Sequence, residues 1–176
     1  MKIDVKKKSF MSSEYKTSIY INLRKYFLSR LQKMKDFKRY KEVVHDIIGA
    51  AMDVYNELGF GLREPVYQEA LTIELNNRRL LCEREKMVNI YYKGEELKQF
   101  YKLDLLVEND IIVETKCVIE LTSEHRAQLF NYMRLTRKPV GLLINFGDYD
   151  NIYGERYVLD DNNLCYRVDK YMMPLQ

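Results

Sequence analysis

The hydrophobic period of the chain changes from helical to alternating near Leu80, and that change narrows the folds open to it. Before it, Val43, Val44, Ile47, Ile48, Ala51, Val54, Tyr55 and Leu58 recur at helical spacing and predict a helix from Tyr40 to Leu58, with Gly59 as its C-cap. Gly59, Phe60 and Gly61 make a tight connection, and Pro65 suits the first turn of a second helix reaching Arg79. After Leu80 the residues alternate and favour strands. Val88 to Tyr92 and Leu97 to Val107 read as strands around a turn at Gly94, and a reversal at Glu108, Asn109 and Asp110 leads into a strand from Ile111 to Val118. Thr122 offers an N-cap for a helix to about Leu135, Pro139 ends that run, and Val140 to Phe146 is a short apolar strand. Arg156 to Leu159 gives a terminal strand, while Leu164 to Met173 stays ambiguous. The order predicts an α/β fold with a mixed central sheet flanked by helices, in which a helical crossover makes Val140 to Phe146 parallel to its partner.

The 176 residues suit one domain, and 47% hydrophobic with 31% charged residues is a globular balance. No apolar run approaches the roughly 18 residues of a membrane span, and no secretory signal is evident, so a cytoplasmic location is expected. Cys82, Cys117 and Cys165 are widely spaced and fit reduced thiols rather than disulfides. With two histidines in the chain, carboxylate oxygens are better metal ligands here than a His and Cys zinc set. Charge is unevenly divided. Residues 1 to 41 hold 13 Lys and Arg against three acids, which leaves 16 basic and 23 acidic residues in the remainder. We therefore separate a basic leader, residues 1 to 37, from a domain of residues 38 to 176. In the leader Ile19, Leu23, Tyr26, Phe27, Leu31 and Met34 predict a basic amphipathic helix, open to packing on the body, to acidic lipid or to DNA phosphates. Translation starting at Met34 is a further alternative.

The hairpin around Asn109 carries the chemistry. A turn centred there sets Asp104 opposite Glu114, where directly opposed like charges are destabilising. Both acids interrupt apolar strands, and Lys116 shares a face with Glu114. Lys116 or a bound divalent cation would offset the repulsion. An acid facing solvent near a strand edge is the plainer alternative for either residue.

Asp104 followed by Glu114, Thr115 and Lys116 resembles the Asp and Glu-x-Lys core of the PD-(D/E)XK nuclease superfamily. Gly61 to Tyr67 spells the GxxExxY pattern of the bacterial family named after it, and Gln128 to Tyr132 resembles the QxxxY helix motif of exonuclease-like branches. Tyr101, His125 and the run Gly141 to Phe146 join the resemblance, which covers about residues 40 to 160. It implies a restriction-endonuclease-like core and a metal-dependent phosphodiesterase using Mg2+ or Mn2+. In its terms Asp104, Glu114 and the Thr115 carbonyl bind the metal, Lys116 orients water or stabilises developing charge, and Glu64 completes the metal shell. Pro65 offers a different role for Glu64, as a helix cap. Gln128, Tyr132 and His125 share a helix face and are assigned to substrate, with ordinary packing the alternative for Tyr132 and surface exposure for His125. Tyr67 and Glu69 are read as structural.

The expected function is nucleic-acid hydrolysis, of DNA before RNA. The alternative is a catalytically weak nucleic-acid-binding or assembly module, with a homodimer or protein partner open. An acidic body needs cations from the leader, from a partner, or from a local patch of Arg126, Arg134, Arg137 and Lys138 to hold phosphates.

Overall fold

The apolar period of the first segment becomes helix α1, Phe37–Leu58, which buries Tyr40, Val43, Val44, Ile47, Ala51 and Val54. The structure, a computed structural model, describes residues 37–175. The leader, with its expected helix and the alternative start at Met34, lies outside them. Helix α1 closes where Gly59 was expected to cap it, its N–H donating to the Tyr55 carbonyl at 2.8 Å. Helix α2, Glu64–Asn77, buries Tyr67, Gln68, Leu71 and Leu75.

Six strands follow as one sheet in sequence order: β1 Cys82–Tyr92, β2 Glu95–Val107, β3 Ile111–Lys116, β4 Val140–Asn145, β5 Tyr153–Leu159 and β6 Cys165–Val168. Helix α3, Ser123–Thr136, connects β3 to β4, and these two strands run parallel as the crossover predicts; all other neighbours are antiparallel. Two departures from the sequence reading concern strands. β1 starts at Cys82 rather than Val88, because Glu83, Arg84 and Lys86 hide a strand that pairing with the apolar end of β2 holds in place. The ambiguous tail supplies β6, whose four residues pair with Arg156 to Leu159.

Opposite faces of the sheet carry different helices. Gly154 lies against Ile48 of α1, and Thr115 bonds Gln68 of α2, so both helices cover that face. On the other, a Cβ at Gly141 would meet the Met133 sulfur at 2.5 Å, which is why α3 can pack so closely on β4. Leu129 and Met133 of α3 fill that layer with Leu106, Ile112 and Leu143. No described helix is long and apolar enough to cross a membrane.

Candidate active site

The turn between β2 and β3 sets the position of the acids. Glu108 and Asn109 both have positive φ, 51° and 58°, and the Asp110 N–H closes the turn on the Val107 carbonyl at 3.1 Å. The resulting register pairs Val107 with Ile111, Leu106 with Ile112 and Leu105 with Val113, the register expected from the sequence. One step further it brings Asp104 beside the end of β3. There the ladder gives way to a side chain: Asp104 Oδ2 accepts the Thr115 backbone N–H at 2.8 Å and the Thr115 hydroxyl at 3.0 Å.

Asp104 also sits at a break in the alternation of β2. Leu103 and Leu106 both enter the core beneath α3, although three residues apart. The flanking pairs Arg84 with Leu105 and Lys86 with Leu103 place Glu85 opposite Asp104, and Glu85 has a φ of 56°. A left-handed non-glycine residue inside a strand is uncommon. It lies across from the position at which the alternation of β2 breaks.

Glu114 is fully buried. One oxygen, Oε1, accepts Lys116 Nζ at 2.7 Å, while Oε2 is buried with no hydrogen-bond partner. Burial and the neighbouring Asp104 push its pKa up to about 7, against the pull of Lys116. Burial alone would depress the Lys116 ammonium; the charge and hydrogen bond of Glu114 outweigh it and hold the ammonium above its ordinary value. Glu64 is half-buried, and its pKa is raised by burial and by Asp104, with Lys116 and the Cys117 backbone working against the rise.

The alternative of Glu64 as a helix cap is not what the structure shows: Arg63 is the N-cap, and Glu64 is the first helical residue with Pro65 in the first turn. Residues in the first turn have no intrahelical acceptor for their N–H, so proline costs no bond there. Glu64 is thereby turned to the end of β3. Gln68, one helical turn later, links Glu64 to the Thr115 that holds Asp104: its Nε2 donates to Glu64 Oε1 at 3.3 Å and to Thr115 Oγ1 at 3.0 Å. The sequence reading missed Gln68; its spacing of four from Glu64, on a buried helix face, was the available signal.

Asn145 was also missed as an individual residue. Its buried amide donates to the Val118 carbonyl at 2.7 Å, and its Oδ1 accepts the Val118 and Gly147 N–H groups at 3.0 and 3.1 Å. A Cβ on Gly147 would come within 2.2 Å of the Val118 backbone nitrogen. Together these fix the chain just beyond Lys116. Tyr67 is structural as read: it stacks on Phe146 with centroids 4.6 Å apart, and its hydroxyl donates to the Gly59 carbonyl at 2.6 Å. Glu69 is exposed and paired with Arg84.

On α3, Gln128 Nε2 donates to the Tyr132 hydroxyl at 3.0 Å, and Tyr132 meets the ring of Tyr101 edge-on. Burial raises the Tyr132 pKa against the Gln128 bond, and the charges of Glu114 and Asp104 add to the rise, so this pair adjoins the acids. His125 lies in the first turn of the same helix, where its Nδ1 accepts the Thr122 N–H at 3.1 Å and completes the helix cap. The expected basic patch is divided. Arg134 and Arg137 bond Asn163, and Lys138 bonds Asn109, while Arg126 in the first turn of α3 bonds Glu155.

Asp104, Glu114, Lys116, Thr115 and Glu64 are thus gathered at one end of β3. Among the described residues no three His, Cys, Asp or Glu side chains converge into a ready metal cage. The donors nevertheless suit a hard cation, which binds through one or two carboxylates and keeps several waters, and Glu114 Oε2, buried without a hydrogen-bond partner, is an oxygen of the kind such a cation takes. Superfamily nucleases of this kind typically use divalent metals. No curated protein matches the chain. The crystal structure of SSO0001 aligns at 21% identity with a TM-score of 0.41, covering 52% of this chain and 48% of that one, so the match spans about half of each. The family model for the PD-(D/E)XK nuclease superfamily matches residues 41–156, and with the mixed sheet and its helices this shows that the chain belongs to that superfamily.

Proposed function

We propose that this protein is a divalent-metal-dependent nuclease that hydrolyses nucleic-acid phosphodiester bonds, with DNA the expected substrate. The observation that carries this reading is Glu114: a buried carboxylate with one oxygen on Lys116 and the other without a partner, a state that costs free energy unless a ligand relieves it. Asp104, Glu114 and the Thr115 carbonyl would hold Mg2+ or Mn2+, with Glu64 completing the shell. Bound there, the ion would supply positive charge to phosphate oxygens and lower the pKa of a coordinated water.

The chain's own groups have separate tasks. Lys116 stands beside Glu114 and offsets negative charge developing on the phosphate. Thr115 holds Asp104 through its N–H and hydroxyl, and Gln68 of α2 fixes that hydroxyl in turn. Gln128, Tyr132 and His125 meet the nucleic-acid backbone along α3. The catalytic unit in this reading is residues 38 to 176, with the basic leader as a phosphate-binding arm. A second reading, a binding or assembly module, is favoured by the Lys116–Glu114 pair, which is also a reasonable way to stabilise a buried acid.

Incubation with linear, circular and single-stranded DNA and with RNA, in Mg2+, in Mn2+ and in chelator, separates the two. Cleavage should require metal and fall by about a hundredfold or more in each of Asp104→Ala, Glu114→Ala and Lys116→Ala, with melting curves confirming folded variants. Cleavage that persists in excess chelator, or in all three variants, would sink the nuclease reading.

A further inference from the structure

Two strands away from Glu114 lies a second buried acid with very different surroundings. Glu114, Leu143 and Glu155 are in register across β3, β4 and β5, so Glu155 projects from the same face of the sheet, about 10 Å away at two strand spacings. Its side chain is fully buried and receives four partners. Arg126 binds it through two parallel bonds, Nε to Oε2 and Nη2 to Oε1, both 2.8 Å. The Tyr157 hydroxyl donates to Oε2 at 2.6 Å, the Tyr153 hydroxyl lies 3.4 Å from Oε1, and Arg167 Nη2 lies 3.1 Å from the same oxygen.

Arg126 and Tyr157 alone would satisfy this carboxylate. Arg167 is a second cation brought to the same oxygen, and it also donates to the Tyr153 hydroxyl. The cluster of two guanidiniums and one carboxylate therefore carries a surplus positive charge. Its acid is hidden, while the Arg126 and Arg167 side chains are 31% and 40% exposed. Arg126 Nη1 and Arg167 Nη1 and Nε take no part in these bonds, so each planar fork keeps N–H groups for an outside acceptor. The guanidiniums are held in fixed orientations before any ligand arrives, which lowers the ordering cost of binding one.

We propose that Arg126 and Arg167, positioned by the buried carboxylate of Glu155, form a subsite for a backbone phosphate of the nucleic acid, a few nucleotides along the strand from the carboxylate site. The proposal rests on the nuclease reading for the identity of the ligand. It also explains how a domain with an acidic balance could hold a polyanion: the local surplus lies on the face of the acids, whereas Arg134, Arg137 and Lys138 lie toward the other end of α3.

The test is binding of short fluorescent DNA, duplex and single-stranded, and of RNA of the same sequence, by the full chain in chelator across a salt series. Chelator removes any contribution of a bound metal. Arg167→Gln should weaken binding about five- to tenfold and make the dependence of log K on log salt shallower by about 0.7 to 0.9, the value of one phosphate contact. Arg167→Lys should keep most of the salt slope while losing part of the affinity, because it keeps the charge and loses the fork. Lys41→Gln, which removes an equal charge on α1 across the sheet, should change neither. Melting curves establish that the variants fold, and Arg167 is chosen over Arg126 because its loss still leaves Glu155 with a bidentate partner. If Arg167→Gln binds with wild-type affinity and slope while wild type cleaves, the cluster is structural and only this proposal fails. If wild type neither binds nor cleaves any of the probes, the nuclease reading fails and this proposal with it.

Discussion

Glu114 and Glu155 are both buried, both on one face of the same sheet, and separated by a single leucine on β4. Their surroundings push them in opposite directions. Burial alone would raise the Glu155 carboxyl, but the hydrogen bonds of Arg126 and Tyr157 and the charge of Arg167 hold it below its ordinary value. Glu114 has one ammonium and two acidic neighbours, Asp104 and Glu64, and is pushed up to about 7. A carboxylate that the fold uses for its own stability is surrounded by donors. One left with an empty oxygen and like charges beside it is stabilised only when something else binds. The difference separates an acid serving structure from an acid poised for a ligand, though both are buried on one face of the same sheet.

Replacing each acid by its amide should expose the contrast most strongly. Glu155→Gln leaves two guanidiniums without their shared anion and should cost about 3 kcal/mol, the low end for breaking a buried pair, because both arginines can regain water. That is roughly a 10 °C drop in melting temperature for a domain of this size. Glu114→Gln, measured in chelator at pH 7, should stay within about 1 kcal/mol of wild type, since a charged partner and a repulsive neighbour are lost together. The pH dependence should carry opposite signs. Glu155 has a depressed folded pKa, so its contribution is present above the ordinary 4.5 and is lost as pH falls through the folded value. Glu114 has a raised one, so its contribution is complete below 4.5 and is lost as pH rises through about 7. Melting curves of both variants against wild type from about pH 2 to 8 measure this, and parallel curves would remove the distinction.

Divalent metal should sharpen the same contrast by a somewhat smaller amount. Mg2+ or Mn2+ at a free concentration near 100 times its dissociation constant should stabilise the wild type by about 2.7 kcal/mol. Asp104→Asn should erase most of that gain and leave the metal-free protein as stable as before or more so, whereas Glu155→Gln should keep the metal response intact. Glu95→Gln, on the exposed end of β2, serves as the neutral control. Glu108 would be a poor one, because its carboxylate accepts the Leu81 N–H and Arg39. An equal metal response in wild type and Asp104→Asn would place the ion elsewhere.

The acids were legible in the sequence because a hairpin is a local object. Three residues of turn fixed the register that brings Asp104 to the end of β3, and the period of Val43 to Leu58 was enough to find α1. What escaped was set by pairing between distant segments. Glu155 reads as one more charge near a terminal strand, and nothing local shows that Arg126, 29 residues earlier, and Arg167 on the next strand converge on it. Asn145 and Gly147 belong to the same class. They sit in an apolar run and a loop, and their use in holding the Val118 backbone appears only once β3 and β4 lie side by side. Charged strand residues such as Glu83 to Lys86 mislead for a related reason, since the apolar end of their partner β2, rather than their own pattern, makes them a strand.

The smallest expected effect comes from the hydroxyl of Tyr132, which tests whether the helix α3 side of the Glu114 site is packing or machinery. The ring is buried among Leu103, Leu129 and Met133 and set edge-on to Tyr101, so Tyr132→Phe should preserve the core. Lost with the oxygen is a single hydrogen bond, from Gln128 Nε2 at 3.0 Å, at a cost of about 1 kcal/mol or less. If the Gln128 and Tyr132 pair only packs, that stability loss is the whole effect and turnover is unchanged. If the pair positions nucleic-acid backbone over Glu114, as proposed, the freed Gln128 amide should also lower kcat/KM several-fold. Gln128→Ala should then lower it to a similar degree, and the double variant should be no worse than either single change, because the two groups act through one bond. Steady-state kinetics with melting curves on the two single variants and the double decide it, and additive losses would return Tyr132 to the core.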